Sequence, residues 1–366
     1  MEEWKGYKLG DVLTIKYGKD HKQLADGNIP IYGSGGIMRY GERSLYDGPS
    51  ILIPRKGSLN NIMYTDKPFW TVDTMFWTII DEEVANPLFV YYSICKKDFA
   101  SLNVGSAVPS LTVPVIEDVD ILLPSKFTQD KIVSILKSLD DKIEVNRRIN
   151  DNLERQAQAL FKSWFIDFEP FRDKPFVESE LGMIPEGWEV VSLGEIIEEN
   201  IKSKIQVKQA RDVKGDYPFF TSGTTVLEYD EFLVSGRNIF LNTGGVAGVN
   251  FYIGNAAYST DTWCIKCKDN LTDFLYLYLV SVLDIINTQY FEGSALKHLK
   301  KRALKERLIA IPSKHIIKDF VKGVMPLFDK IMSNKKQNRI LSQIRDTLLP
   351  RLMSGELEVK DIEDCL

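Results

Sequence analysis

The sequence is written twice. Ile29-Pro-Ile-Tyr-Gly-Ser-Gly35 recurs as Tyr217-Pro-Phe-Phe-Thr-Ser-Gly223, Val72-Asp-Thr74 as Thr260-Asp-Thr262, and Gly105-Ser-Ala107 as Gly293-Ser-Ala295. Leu123-Pro-Ser-Lys126 answers to Ile311-Pro-Ser-Lys314, and Asp141-Lys-Ile143 to Asp329-Lys-Ile331. Each pair is offset by 188 positions, as Gly105 is from Gly293. Near the start the offset slips to 184, pairing Trp4, Leu9 and Gly10 with Trp188, Leu193 and Gly194. A duplicated unit of this length must fold twice, so 366 residues hold two copies of one architecture.

Each copy has two parts. The first holds short β-rich runs, such as Ser50–Ile53, Trp70–Ile80, Asn238–Leu241 and Thr262–Cys267, punctuated by Gly, Asn and Asp. Short helices are expected near 86–97 and 271–287. The second part is one long helix. Ile132, Leu136, Leu139, Ile143, Asn146, Asn150, Leu153, Ala157, Leu160 and Trp164 follow a 4,3,4,3 spacing. The offset carries this seam onto Phe320, Val324, Leu327, Ile331, Asn334, Asn338, Leu341, Arg345, Leu348 and Leu352. Such helices either pack separately on their own domains or pack on each other as a coiled coil. In the second case an antiparallel pair brings the seam asparagines together and fixes the axial position, because an unpaired buried amide is costly. Gly323 and Pro326 predict a kink or a later start for the second helix. At ~1.5 Å per residue, about 40 residues span roughly 60 Å.

The expected architecture is α+β: two globular mixed α/β domains separated by an antiparallel coiled coil of two long helices, with an internal pseudo-two-fold repeat. The boundaries follow as 1–125, a helix over 126–168, a linker over 169–184 marked by Pro170 and Pro175, a second domain over 185–312, a helix over 313–353 and a tail over 354–366. Two domains held apart by a stiff rod suit two separated pieces of one long ligand, and DNA half-sites ~34–36 Å or more apart fit that description.

Composition excludes several classes. Apolar content of 44% with 27% charge is globular, which argues against wholesale disorder. No basic segment followed by an apolar run opens the sequence, and no stretch approaches ~18 apolar residues, so neither a signal peptide nor a membrane span is expected. Four cysteines do not make a disulfide scaffold and suit a reducing cytoplasm. The net charge of −5 does not advertise a nucleic-acid binder, so any DNA contact must rest on local clusters.

Chemistry-bearing motifs are weak. Cys264-Ile-Lys-Cys267 has no second pair, and the other copy carries Phe76 and Ile79 there, so buried thiols are expected. Asn86-Pro-Leu-Phe89 lacks the second proline of the adenine methyltransferase motif, and Pro87 suits a first helical turn. Gly33-Ser-Gly-Gly36 and Thr243-Gly-Gly-Val-Ala-Gly248 match no phosphate-loop template. His21, His298 and His315 are unclustered, and Glu358-Val-Lys360 lacks an upstream metal carboxylate. No active site and no metal site is expected on this chain.

Local basic clusters do exist. Lys297, Lys300, Lys301 and Arg302 belong to a run ending at Arg307 that suits phosphate contact or, equally, a solvated helix face. Arg55, Lys56, Asn60 and Asn61 mix guanidinium and amide groups suited to guanine and adenine edges. Their counterpart, Asn242-Thr243-Gly-Gly245, is polar but uncharged. Lys204, Lys208 and Arg211 form a further cationic run. Framework residues agree between the copies, whereas the side chains that could read bases differ.

With Trp188-Glu-Val-Val-Ser-Leu-Gly-Glu-Ile196, Ser138-Leu-Asp-Asp-Lys-Ile143, Leu160-Phe-Lys-Ser-Trp-Phe165 and Leu348-Leu-Pro-Arg-Leu-Met-Ser-Gly-Glu-Leu357, the chain resembles the specificity subunits of type I restriction–modification enzymes over essentially its whole length. The resemblance implies a noncatalytic DNA-recognition subunit whose two target-recognition domains each read one half of a split, asymmetric target. It implies that the helices set the half-site spacing and dock two modification subunits, which use S-adenosylmethionine to methylate adenine N6. Restriction subunits, with ATP-driven translocase and nuclease activity, would join the same core. No cofactor is expected on this chain itself. The first domain departs by having Pro109–Val119 where the second has its basic run, so its phosphate contacts are expected from Lys16, Lys19, Lys22, Arg39, Arg43, Arg55 and Lys56. The competing reading is a coiled-coil scaffold with duplicated protein- or carbohydrate-binding domains.

Overall fold

A computed structural model of the chain describes residues 4–105 and 108–360. Ser106 and Ala107 of the first Gly-Ser-Ala, the first three residues and tail residues 361–366 lie outside the described residues. The chain divides into two compact units, one running to Ile143 and resuming at Arg339, the other spanning Glu144–Asn338.

The first unit contains β1 (Lys5–Lys8), β2 (Leu13–Tyr17), β3 (Asp26–Gly33), β4 (Gly36–Gly41), β5 (Ser50–Pro54), β6 (Met63–Thr65), β7 (Trp70–Thr71), β8 (Met75–Ile80) and β9 (Asp120–Leu123). They form sheets in the orders β2-β8-β5-β6, β4-β3-β7 and β1-β9. The second unit opens with a hairpin of β10 (Phe176–Ser179) and β11 (Gly182–Pro185). It continues through β12 (Glu189–Ser192), β13 (Ile197–Glu199), β14 (Tyr217–Phe220), β15 (Val226–Tyr229), β16 (Arg237–Asn242), β17 (Val249–Ile253), β18 (Ala257–Tyr258) and β19 (Thr262–Cys267). The last strands are β20 (Phe291–Glu292), β21 (His298–Leu299) and β22 (Leu308–Ile311). Its sheets are ordered β13-β19-β16-β17, β15-β14-β18 and β12-β22. Strand for strand these three sheets repeat the first unit's order, to which the second unit adds the two-stranded β20-β21, so the duplication seen in the sequence is a duplication of topology.

The central strands explain themselves. Ser50–Pro54 is buried throughout, as an apolar run covered on both faces should be. Ile51, Ile53, Phe76 and Phe89 meet in one core, and Ile239, Leu241, Trp263 and Phe274 in the other. The expected single run Trp70–Ile80 is two strands instead. Met75 N–H donates to Val72 O at 3.0 Å, and the turn this closes frees the carbonyls of Asp73 and Thr74 for other partners. The stretch marked as a linker is also structured, because Phe171 and Ile184 pack with Trp188 beneath the β10–β11 hairpin. In the second unit, Arg237 bridges the buried Asp273 and the exposed Asp329. Burial pushes the Asp273 carboxyl up to about 6 despite the guanidinium beside it.

Two 40-residue helices, Lys126–Phe165 and Lys314–Met353, run through both units. The second begins at Lys314 rather than beyond Pro326, since Ile317, Phe320, Val321 and Val324 are held in the second unit's core and packing overrides local propensity. In the second unit the helices lie antiparallel and the seam asparagines meet. Asn146 donates to Asn338 Oδ1 and Gln337 Oε1, both at 2.8 Å, and Asn334 donates to Asn150 Oδ1 at 2.9 Å. These two asparagine pairs are copies of one another under the 188-residue offset. In the first unit, Arg345 binds Asp140 at 2.6 Å, and Ile132 and Leu136 share a core with Leu349 and Leu352.

Most of the expected seam is covered. Ile132, Leu136, Ile143, Asn146, Ile331 and Asn334 are buried, and Leu139, Asn150, Leu153, Asn338, Leu341 and Leu348 are half-buried. Leu160 is the exception: it is 40% exposed, while Phe161 is 2% exposed. The reason is the helical period. A straight helix lags a strict heptad by ~20° per repeat, about 80° over the four heptads from Ile132, and the next residue, ~100° on, returns to the seam. The same slip in the second helix buries Leu349 more deeply than Leu348.

Candidate nucleic-acid interface

In the first unit, loops converge around Arg55 and Lys56 at the end of β5. Their backbone N–H groups donate to Thr74 O at 2.9 and 3.2 Å, and Arg55 O accepts from Leu111 N–H at 2.9 Å. Lys56 also forms a β-bridge with Ser110. From the next turn, Asn61 Nδ2 donates to Ser34 O at 2.8 Å, tying this loop to the tip of the β3–β4 hairpin. The Arg55 guanidinium lies 5.6 Å from the centroid of the Tyr17 ring and donates to Asp73 O at 3.4 Å.

The second unit builds a like platform 188 positions later, sharing one backbone hydrogen bond and one β-bridge with the first but not its N–H partners. Thr243 O accepts from Leu299 N–H at 3.0 Å, and Gly244 forms a β-bridge with His298. Thr243 Oγ1 donates to Asp261 O at 2.7 Å, replacing the guanidinium that reaches Asp73 O in the first unit. Ser222, the counterpart of Ser34, accepts from the N–H groups of Thr243 and Gly244 at 3.0 and 3.1 Å. The Leu111–Arg55 bond and the Lys56–Ser110 bridge thus recur as Leu299–Thr243 and Gly244–His298, while the N–H partners move from Thr74 O to Ser222 Oγ and Asp261 O and the side chains change from Arg55, Lys56 and Ser110 to Thr243, Gly244 and His298.

Several residues singled out from the sequence do other work. Arg39 donates to the carbonyls of His21 and Leu24 at 2.8 and 2.6 Å and pairs with Asp26, so its guanidinium braces the turn that leads into β3. Asn60 accepts from Ala100 N–H at 2.7 Å and donates to Asp98 at 3.0 Å. Asn242 is buried, with its amide on Val246 O at 3.1 Å. These amides hold loops, as does Asn61. Arg43 remains exposed beside Trp70, and Lys204, Lys208 and Arg211 are exposed on the segment around the short helix Val207–Ala210.

The basic run from Lys297 is not one cationic face. It is divided between β21 and a short helix, Lys301–Glu306. Lys300 pairs with Glu292, Arg302 with Glu306 at 3.1 Å, and Lys305 with Glu199. Lys301 lies 5.2 Å from the Trp263 ring, and burial pushes its ammonium below the usual lysine range. Arg307 donates to the Tyr278 hydroxyl at 2.9 Å. Lys297 is exposed beside His298, and its carbonyl accepts from Gly245 N–H at 2.9 Å. Glu199 and Glu292 are remote or separate in sequence, so the charge pattern of the run could not reveal its partners. Tyr17, Ser110 and His298 were missed, although carrying Arg55 and Ser110 across the repeat offset leads to Thr243 and His298.

The other motifs resolve into structure. Burial pushes both Cys264 and Cys267 thiols up to about 12, the behaviour of core side chains. Asn86 caps the helix Pro87–Ile94, its Oδ1 accepting from Leu88 and Phe89 N–H at 2.9 and 3.2 Å. Among the described residues no group of three or more His, Cys, Asp or Glu is placed to hold a metal, and no helix is long and apolar enough to cross a membrane.

Comparison with known proteins agrees with this arrangement. The family model for the type I restriction modification DNA specificity domain matches residues 1–155 and again 185–342. The MjaIX type I specificity subunit of Methanocaldococcus jannaschii is 29% identical, over 99% of this chain and 95% of its own length. The HindI specificity subunit of Haemophilus influenzae is 24% identical, over 98% and 100%. A crystal structure of the type I restriction–modification S subunit from M. genitalium has a like fold, with a TM-score of 0.60 at 17% identity over 96% of each chain. With the specificity domain matched once in each copy of a repeat that is also a repeat of fold, the chain belongs to the family of type I restriction–modification DNA specificity subunits.

Proposed function

We propose that this chain is the noncatalytic DNA-recognition subunit of a type I restriction–modification complex. Each globular domain reads one half of a split, asymmetric double-stranded target, and the long helices set the half-site spacing and dock two modification subunits. Those subunits bind S-adenosylmethionine and methylate adenine; restriction subunits consuming ATP join the assembly, which works in the cytoplasm. The observation that carries this reading is the platform around Arg55 and Thr243, built twice on one shared backbone hydrogen bond and one shared β-bridge with different side chains. That is what two readers of different sequences on one scaffold require, since base edges are distinguished by the side chains offered to them. Exposed cations such as Lys56, Lys204, Lys208, Arg211 and Lys297 supply phosphate contacts, and partner subunits supply the remainder that a net charge of −5 leaves unmet.

Exchanging residues 185–312 for those of a relative with a different target tests this reading. The hybrid, assembled with its modification subunits, is expected to methylate a motif altered in one half only. Alteration of both halves would overturn the assignment of one half to each domain.

A further inference from the structure

We infer that the Arg55 guanidinium, held over Tyr17, is the guanine-reading group of the first domain, and that Thr243 with His298 occupies the matching place in the second. This rests on the DNA-recognition reading above. Arginine can satisfy both acceptors on a guanine edge, N7 and O6, with its planar fork, provided the fork is held in place. Arg55 is held on every side. Its backbone N–H and carbonyl are bound by Thr74 and Leu111, its head donates to Asp73 O at 3.4 Å, and its face lies 5.6 Å from the Tyr17 ring centroid. Tyr17 is 56% exposed, and stacking on an exposed ring orders the guanidinium without burying it. Gly57, at φ +90°, turns the chain directly after Lys56, and a Cβ there would stand 2.9 Å from Ser34 Oγ.

The second unit shows that this place is a position for reading rather than a structural need. There the Asp261 carbonyl, the counterpart of Asp73 O, accepts from Thr243 Oγ1 at 2.7 Å and from Thr243 N–H at 3.1 Å, so the fold does not require a guanidinium. Gly244 removes the neighbouring ammonium, and the exposed His298 stands where Ser110 stands in the first unit. A guanidinium and an ammonium are offered on one side, a hydroxyl and an imidazole on the other.

The test uses the complex of this chain with its modification subunits, methylating duplexes in which each recognised base pair is substituted in turn. Arg55→Ala is expected to lose about 10- to 100-fold of the preference for one guanine in one half-site, leaving the other half unchanged. Arg55→Lys keeps the charge but not the fork; it should lose the same preference while retaining the salt dependence of binding. Thr243→Ala should change preference only in the other half. Loss of affinity for all sequences alike in Arg55→Ala, restored by Arg55→Lys, would make Arg55 a phosphate contact and overturn the inference. So would unchanged base preference in both Arg55 variants. A wild-type complex with no split target would instead defeat the underlying functional reading.

Discussion

Replacing Phe161 by alanine is expected to lower the unfolding free energy by ~3–5 kcal/mol, whereas Leu160→Ala should cost less than about 1 kcal/mol. The two residues are neighbours on one helix, and the heptad pattern alone favours Leu160. Phe161, however, packs against Phe165, Phe274 and Phe320 with ring centroids 5.1, 5.6 and 6.1 Å away, in the core of the second unit. Removing it opens a cavity lined by rings from three elements, which cannot all collapse into the space. Urea unfolding of each variant measures the difference. Equal costs for the two would show that the helix follows a strict heptad, against the drift seen here.

The second large effect is expected at the asparagine pairs. Asn146→Ala removes the buried amide that donates to the half-buried Asn338 Oδ1 and to the exposed Gln337 Oε1. Losing a hydrogen bond of this kind costs ~0.5–1.5 kcal/mol. Replacing Asn146 and Asn338 together by leucine removes both amides of the pair, leaves the exposed Gln337 Oε1 to water, and is expected to recover most of that loss. Its cost is register, since apolar residues tolerate axial slippage that paired amides penalise. Denaturation midpoints of the single and double variants decide this. A single variant within about 0.5 kcal/mol of the parent would mean the pair contributes nothing.

The sequence made the repeat, both long helices and the pairing of their asparagines legible, because each is a matter of spacing along the chain. An antiparallel arrangement is expected to bring the seam asparagines together, and the fold shows which meet: Asn146 with Asn338 and Asn334 with Asn150. What spacing could not supply was tertiary partnership. Arg39, Asn60 and Asn61 have the right chemistry for bases, yet a turn carbonyl, a helix-capping loop and a hairpin tip take up their donors. Lys300 and Lys305 belong to a run that looks cationic, and only the fold brings Glu292 and Glu199 to them. The platform at Arg55 was half visible. Its residues carry suitable chemistry in the sequence, but its being a repeated position appears only in the fold, where the Leu111–Arg55 bond and the Lys56–Ser110 bridge recur as Leu299–Thr243 and Gly244–His298.

The most direct measurement is a genome-wide map of methylated adenines in cells producing this chain together with its modification subunits. A single motif is expected, made of two different specified halves at a fixed distance, with unread base pairs between them. An uninterrupted motif, or no sequence-specific adenine methylation from the assembled complex, would contradict the account.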